Sequence, residues 1–284
     1  MTRLPSVKVG STPYLSSGAI PPLEASMPIA TLPSELDSIQ KLREQDLEEA
    51  RTIQGVMLPG QPLRLPTVTI SHEFQPAAAV GGDYLDYFSL TDGTIGMYIG
   101  DVSGKGLPAA LYAALAVGTL RGIHKTGQHP SRVLYLLNQR LLLRGIPGRH
   151  TAIQYALFDP ETREMTIASA GMPGPMLLRG GQSQVLQVAG IPPGLFPDVT
   201  YDVLKVQLVE GDSVLFFTDG LTDARNIHDE EFDAEGLKGV CSKHAGESRI
   251  ELLGHIFNAI EEFSANCEQW DDMTAAVFHY AGSE

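Results

Sequence analysis

Cysteine is nearly absent: Cys241 and Cys267 are the only two in 284 residues. They are too few and too far apart for a disulfide framework or a zinc knuckle, so a reducing cytoplasm is the expected compartment. Basic residues are also scarce, with 20 Lys and Arg against 34 Asp and Glu, for a formal net charge of −14. Such a surface repels nucleic-acid phosphates and anionic headgroups, which argues against nucleic acid and membrane as partners. No apolar run approaches the roughly 18 residues of a membrane span, and "MTRLPSVKVG" lacks the apolar stretch of a signal peptide.

Several catalytic signatures are missing as well. In "GDVSGKGLPAAL" Lys105 lies between Gly104 and Gly106 and is followed by Leu107, which does not fit the G-x-x-x-x-G-K-[ST] phosphate loop. "GGDY" lacks the spacing of a dinucleotide fold. There is no G-x-S-x-G, and Ser103 has no identifiable histidine partner. Neither cysteine has an electropositive setting that would activate it. His124, His129, His150 and His255 are scattered and read as surface or helix-face residues rather than ligands.

What is present is a chain with 43% hydrophobic residues, enough to bury one large core or two small ones, with one main domain expected. Residues 1 to 33, rich in Pro, Ser, Ala and Gly, read as an arm. Residues 34 to 58 read as a helix with a capping box at Ser34 and Asp37. It either packs on the domain or dimerises and carries a signal; Arg43 and Asp46 interrupt a strict heptad. From Pro66 onward short strand patterns dominate, such as "TVTISHEF", "TIGMYIGDV", "TAIQYALFD", "DSVLFFTDG" and "MTAAVFHY". Helical patterns lie in "LPAALYAALAVGTLRG", "PSRVLYLLNQRLLLR" and "SRIELLGHIFNAIEEFSA". Clustered helices, many strands and few strand-helix-strand repeats predict an α+β fold, a strand-rich core covered by helices. The domain proper is expected over residues 59 to 284.

Four acidic sites share one context, a carboxylate at the edge of an apolar strand. They are Asp83 in "GGDYLD", Asp101 in "YIGDVSGKG", Asp219 in "LFFTDGL", and Asp271 with Asp272 in "WDDMTAAVF". A single such acid is a common turn residue. Four together, with Lys105 the only Lys or Arg inside the motifs, ask for cations, and hard Mg²⁺ or Mn²⁺ suit carboxylate and carbonyl oxygens. Spacing alone does not make the four converge.

The ordered set "ARTIQGVMLP", "PAAAVGGDYLDYF", "GDVSGKGLPAAL", "SAGMPGP", "GDSVLFFTDGLTDARN" and "DDMT" resembles the bacterial metal-dependent serine/threonine phosphatases of the PPM superfamily, in the SpoIIE and RsbU-like branch. The resemblance covers roughly residues 50 to 280. It implies two antiparallel β-sheets packed as a sandwich with helices on the outer faces, and two Mn²⁺ or Mg²⁺ ions. It makes Asp101 the bridging carboxylate and the Val102 carbonyl a further ligand. Asp219 and Asp271 complete the first metal, with Asp272, also counted in the metal set, favoured as support. Asp83 sits at the metals directly or through water; Asp86 is the more doubtful acid. By the same resemblance Asp83, Asp101, Asp219 and Asp271 are the expected catalytic residues. Lys105 could screen incoming phosphate, although a solvent-facing lysine is the preferred reading. Ser169 and Met172 stand where the family has Asn and His, and methionine can neither donate a proton nor hold a hard cation well.

By family habit the substrate is a phosphorylated protein, a STAS-type anti-sigma-factor antagonist in partner switching, with a homodimer through the N-terminal helix a further possibility. Two alternatives stand beside this: a weakly active or non-catalytic phosphoprotein-binding module, and a small-molecule phosphohydrolase.

Overall fold

The computed structural model describes residues 31–143, 145–265 and 267–282. The predicted arm lies outside the described residues up to residue 30. Contacts divide the chain between Arg43 and Glu44, inside the first helix, α1 (Thr31–Met57). Because that helix already runs from Thr31, Ser34 lies within it rather than at its start.

Within the larger unit two antiparallel sheets stack face to face. The first has the order β1 (Leu63–Arg64), β2 (Val68–Gln75), β11 (Met273–Tyr280), β10 (Ser213–Phe217), β7 (Met176–Arg179), β8 (Gln182–Val185). The second runs β3 (Tyr84–Ser89), β4 (Ile95–Val102), β5 (Thr151–Asp159), β6 (Glu164–Ala170), β9 (Val203–Gln207). Helices α2 (Gly106–Ile123) and α3 (Pro130–Leu142) cover the second sheet, while α4 (Asp233–Lys243) and α5 (Arg249–Phe263) cover the first. The α+β class expected from the strand and helix patterns, and the two-sheet sandwich implied by the resemblance, are the fold observed.

Strand alternation makes the three cores. In β10, Val214 and Phe216 enter the space between the sheets, and Leu215 and Phe217 turn to α4 and α5. In β4, Met97 and Ile99 take the inner side while Tyr98 and Val102 pack under α2 and α3. Nearly every β4 and β10 position is buried, because each strand has a sheet on one face and helices on the other.

Two elements differ from expectation. Helix α4 is not signalled by its sequence, since Gly236 and Gly239 each cost about 1 kcal/mol relative to alanine; burial of Leu237 and Cys241 stabilises it instead. Helix α2 is, by length and composition, apolar enough to cross a membrane, against the expectation that no run approaches that length. Five of its 18 residues are the weakly apolar alanine, and Tyr112, Gly118, Thr119, Arg121 and Gly122 interrupt the rest, so no strongly apolar run is visible. Its Ala109, Ala113, Ala116, Val117 and Leu120 are buried against the second sheet and α3.

Candidate metal centre

Antiparallel pairing brings distant acids to one end of the sandwich. Tyr84 opposes Gly100, so Asp83, just before β3, lies beside Asp101 near the end of β4. Phe217 opposes Ala275, so Thr218 and Asp219, just after β10, lie beside Asp271 and Asp272, just before β11. The sheets then meet through hydrogen bonds. The Thr218 and Thr274 hydroxyls, from the first sheet, donate to one oxygen of Asp83 at 2.8 and 2.5 Å. The Gly82 N–H donates to Asp272 Oδ2 at 2.6 Å.

The glycine pair is a close-approach device. A Cβ on Gly81 would overlap the Asp272 carboxylate, and one on Gly82 would sit 2.9 Å from the Val102 carbonyl oxygen. Asp272 also accepts from the Ala77 N–H at 2.8 Å, so both its oxygens are used to hold the loop of residues 77–82 against β11. Behind that loop, Gln54 of α1 donates to the Gly81 carbonyl at 2.7 Å and accepts from the Gly81 N–H at 3.0 Å.

The acids grade from buried to open: Asp83 and Asp272 are buried, Asp101 and Asp271 half-buried, and Asp219 reaches the rim. Burial, then the charge of Asp101, holds the Asp83 carboxyl well above the usual carboxylate range, opposed by the two threonine hydroxyls. Burial, then Asp219 and Asp271, pushes Asp101 up to about 7. Asp219 is raised by burial, Asp223 and Asp271. Asp271 is raised chiefly by burial, with Lys105 opposing. Among the described residues the one ion pair these five acids make is Lys105 Nζ to Asp271 Oδ2, at 3.8 Å. Clustered carboxylates that repel one another, with oxygen donors and no imidazole or thiolate among them, are the donor set of a hard divalent cation.

The remaining candidates separate cleanly. Asp86 faces away: it pairs with Arg121 at 3.0 Å and accepts from the Tyr98 hydroxyl at 3.4 Å, joining β3 to α2. Lys105 is exposed, as preferred from the sequence, and its ammonium also lies 4.1 Å over the Trp270 ring and beside Asp271. Met172 is buried in the core between the sheets, and Ser169 is buried on β6. Three residues escaped sequence reading. Thr218 and Thr274 flank the acids inside "TDG" and "DDMT", and Asp223 lies one turn beyond Asp219, close enough to raise it. The threonines next to each acid were the available signal. A cleft of about 360 Å³ adjoins the cluster through Gly220, Asp223 and Asp271, and continues past Arg225, Gln269 and Trp270.

Residues 91–281 match the family model described as Stage II sporulation protein E (SpoIIE). The chain is 27% identical over 244 residues to phosphoserine phosphatase RsbU of Bacillus subtilis (strain 168), covering 85% of this chain and 72% of RsbU. It spans less than half of two longer relatives. Its fold is similar to that of the SiaA-PP2C domain of Pseudomonas aeruginosa, with a TM-score of 0.77 and 21% identity over 87% of this chain and 99% of that one. It is also similar to RsbX, whose crystal structure is a complex with magnesium, with a TM-score of 0.59 and 16% identity over 78% and 98% of the two chains.

Proposed function

Since the chain belongs to the SpoIIE family of PPM-type phosphatase domains, we propose that it hydrolyses phosphoserine or phosphothreonine on a regulatory protein. The observation that carries this is the convergence of Asp83, Asp101, Asp219 and Asp271 with Lys105 as their only ion-paired cation among the described residues. The acceptor set suits Mn²⁺ or Mg²⁺, two ions on our reading, which the Asp101 carboxylate, the Val102 carbonyl, Asp219 and Asp271 would hold, with Asp83 behind them. Asp272 acts as support, since its oxygens are taken by backbone N–H groups. Such ions, when bound, neutralise phosphoryl charge and bring the pKa of water toward neutrality.

The protein's own groups do the rest. The Thr218 and Thr274 hydroxyls hold the Asp83 carboxyl in one orientation. Lys105 offers a positive charge at the rim, and the cleft beside Trp270 and Arg225 receives the segment that carries the phosphate. Hydrolysis breaks the bond between phosphorus and the serine or threonine oxygen, and yields the free hydroxyl and inorganic phosphate.

The substrate we favour is a STAS-type anti-sigma-factor antagonist, met in the cytoplasm. We also assign residues 1–33 as an arm, 34–58 as a linker helix and 59–284 as the phosphatase domain. The exposed Leu36, Ile39 and Leu42 of α1 support a homodimer through that helix. The test is release of phosphate from phosphorylated STAS proteins with and without Mn²⁺. Metal-dependent release that is lost in Asp101→Asn and Asp219→Asn is expected. Binding without turnover would leave a phosphoprotein-binding module, and a clear preference for nucleotide or sugar phosphates would leave a small-molecule phosphohydrolase.

A further inference from the structure

A second group of ligating side chains lies on the outer layer, where α4 turns into α5. His244 caps α4, its N–H donating to the Val240 carbonyl. Glu247 sits in the turn, and His255 projects from the second turn of α5. His244 Nδ1 lies 2.9 Å from Glu247 Oε1, and His255 Nε2 lies 2.6 Å from Glu247 Oε2. The two imidazoles stack with centroids 3.8 Å apart and planes 16° from parallel. One nitrogen from each ring and a carboxylate oxygen all fall within 4.8 Å of one another. His255, read from the sequence as a helix-face residue, therefore belongs to a cluster.

We propose that His244, Glu247 and His255 bind a borderline divalent metal ion, with Zn²⁺ the best matched, at a site separate from the acid cluster. Two imidazole nitrogens and one carboxylate form a donor set that hard Mg²⁺ and Mn²⁺ do not favour over all-oxygen sites, whereas Zn²⁺, Co²⁺ and Ni²⁺ do. The ligands also stand on prepared backbone. Ser248 and Glu251 close a capping box at the start of α5, which fixes the turn carrying Glu247. All three side chains are partly open, so a water or an external ligand can fill the remaining position. Nearby, a second cleft runs from Glu247 past Arg249 to His279. His279 lies near the end of β11 remote from Asp271, which separates this site from the phosphatase centre. The ion would staple α4 to α5 and so brace the layer over the first sheet.

The test is calorimetric titration of the full chain with Zn²⁺ in excess Mg²⁺, with Co²⁺ absorption as a second probe. One ion per chain is expected, retained in Asp219→Asn. In His244→Ala and in His255→Ala its affinity should fall by at least about tenfold, the scale on which even the partners behind a ligand act. In the unmodified protein, Zn²⁺ should also move the ring-nitrogen resonances of two of the eight histidines. Uptake that disappears in Asp219→Asn, uptake indifferent to both histidine substitutions, or no saturable uptake at all would each overturn the assignment.

Discussion

Strand β10 has a carboxylate beyond each end, and the two surroundings differ. At its start, buried Asp212 receives Arg179 Nε at 2.9 and 3.1 Å, Arg179 Nη2 at 2.5 Å and the Val209 N–H at 2.7 Å. At its finish, Asp219 joins Asp83, Asp101 and Asp271, and among the described residues the one cation paired with them is Lys105, 3.8 Å from Asp271. A buried charge is tolerated when it is paired and hydrogen-bonded. The chain supplies the countercharge for Asp212 from within; for the other cluster it leaves the countercharge to come from solution.

The largest expected break in this comparison is catalytic. Asp101→Asn and Asp219→Asn should each slow Mn²⁺-dependent hydrolysis on the order of a thousandfold, several kcal/mol of lost metal-ion stabilisation at about 1.4 kcal/mol per tenfold. Asp212→Asn should leave the rate per folded molecule unchanged; equal losses at both ends, read from initial rates, would erase the distinction. The next effect concerns stability. Asp212→Ala should cost about 2 kcal/mol in urea unfolding, because the Val209 N–H and the inner face of Arg179 lose their acceptor. Asp101→Asn, assayed in EDTA, should stabilise instead, since it removes a charge with no paired cation.

The third test follows the sign of the Asp101 shift. Its carboxyl is raised from the usual range near 4 to about 7, so in this window the folded chain binds more protons than the unfolded one. The penalty for ionising Asp101 is absent below about pH 4 and complete above about pH 7. Metal-free protein should therefore lose melting temperature across that window more steeply than Asp101→Asn, and Mn²⁺ should recover it at the upper end. Parallel slopes would mean that Asp101 is not held protonated by its neighbours. The smallest effect belongs to the rim: Lys105→Ala should raise KM for a phosphoprotein by about twofold to fivefold with kcat nearly unchanged, as befits a half-exposed charge, and added salt should shrink the difference.

The strand-edge acids were legible because a carboxylate among Ile, Phe and Val has few local explanations, and β5 and β11 were legible because their patterns run unbroken. Convergence was not, since it depends on Tyr84 meeting Gly100 and Phe217 meeting Ala275, pairings that no short window contains. Asp223 escaped because its importance comes from a 3₁₀ turn that returns it toward Asp219. The partners of Lys105 were hidden for a similar reason: Trp270 and Asp271 lie some 165 residues away, counting from Lys105 to Trp270. Asp86 needed the opposite lesson, because its partner Arg121 sits on a helix that its own strand pattern does not announce.

The place of β11 has a consequence for how the protein is made. It is the last strand in chain order, yet it lies inside the first sheet between β2 and β10, and it is flanked by the Asp272 that holds Gly82 and bears the Thr274 that holds Asp83. While a ribosome is still adding these residues, β2 and β10 have no strand between them and the loop of residues 77–82 has no anchor. Strands β3, β4, β5, β6 and β9 all precede β11 in the chain, so the second sheet is synthesised in full before the acids can share one geometry. Cation capture would thus coincide with completion of the domain, and unfinished chains would be silent toward phosphorylated partners.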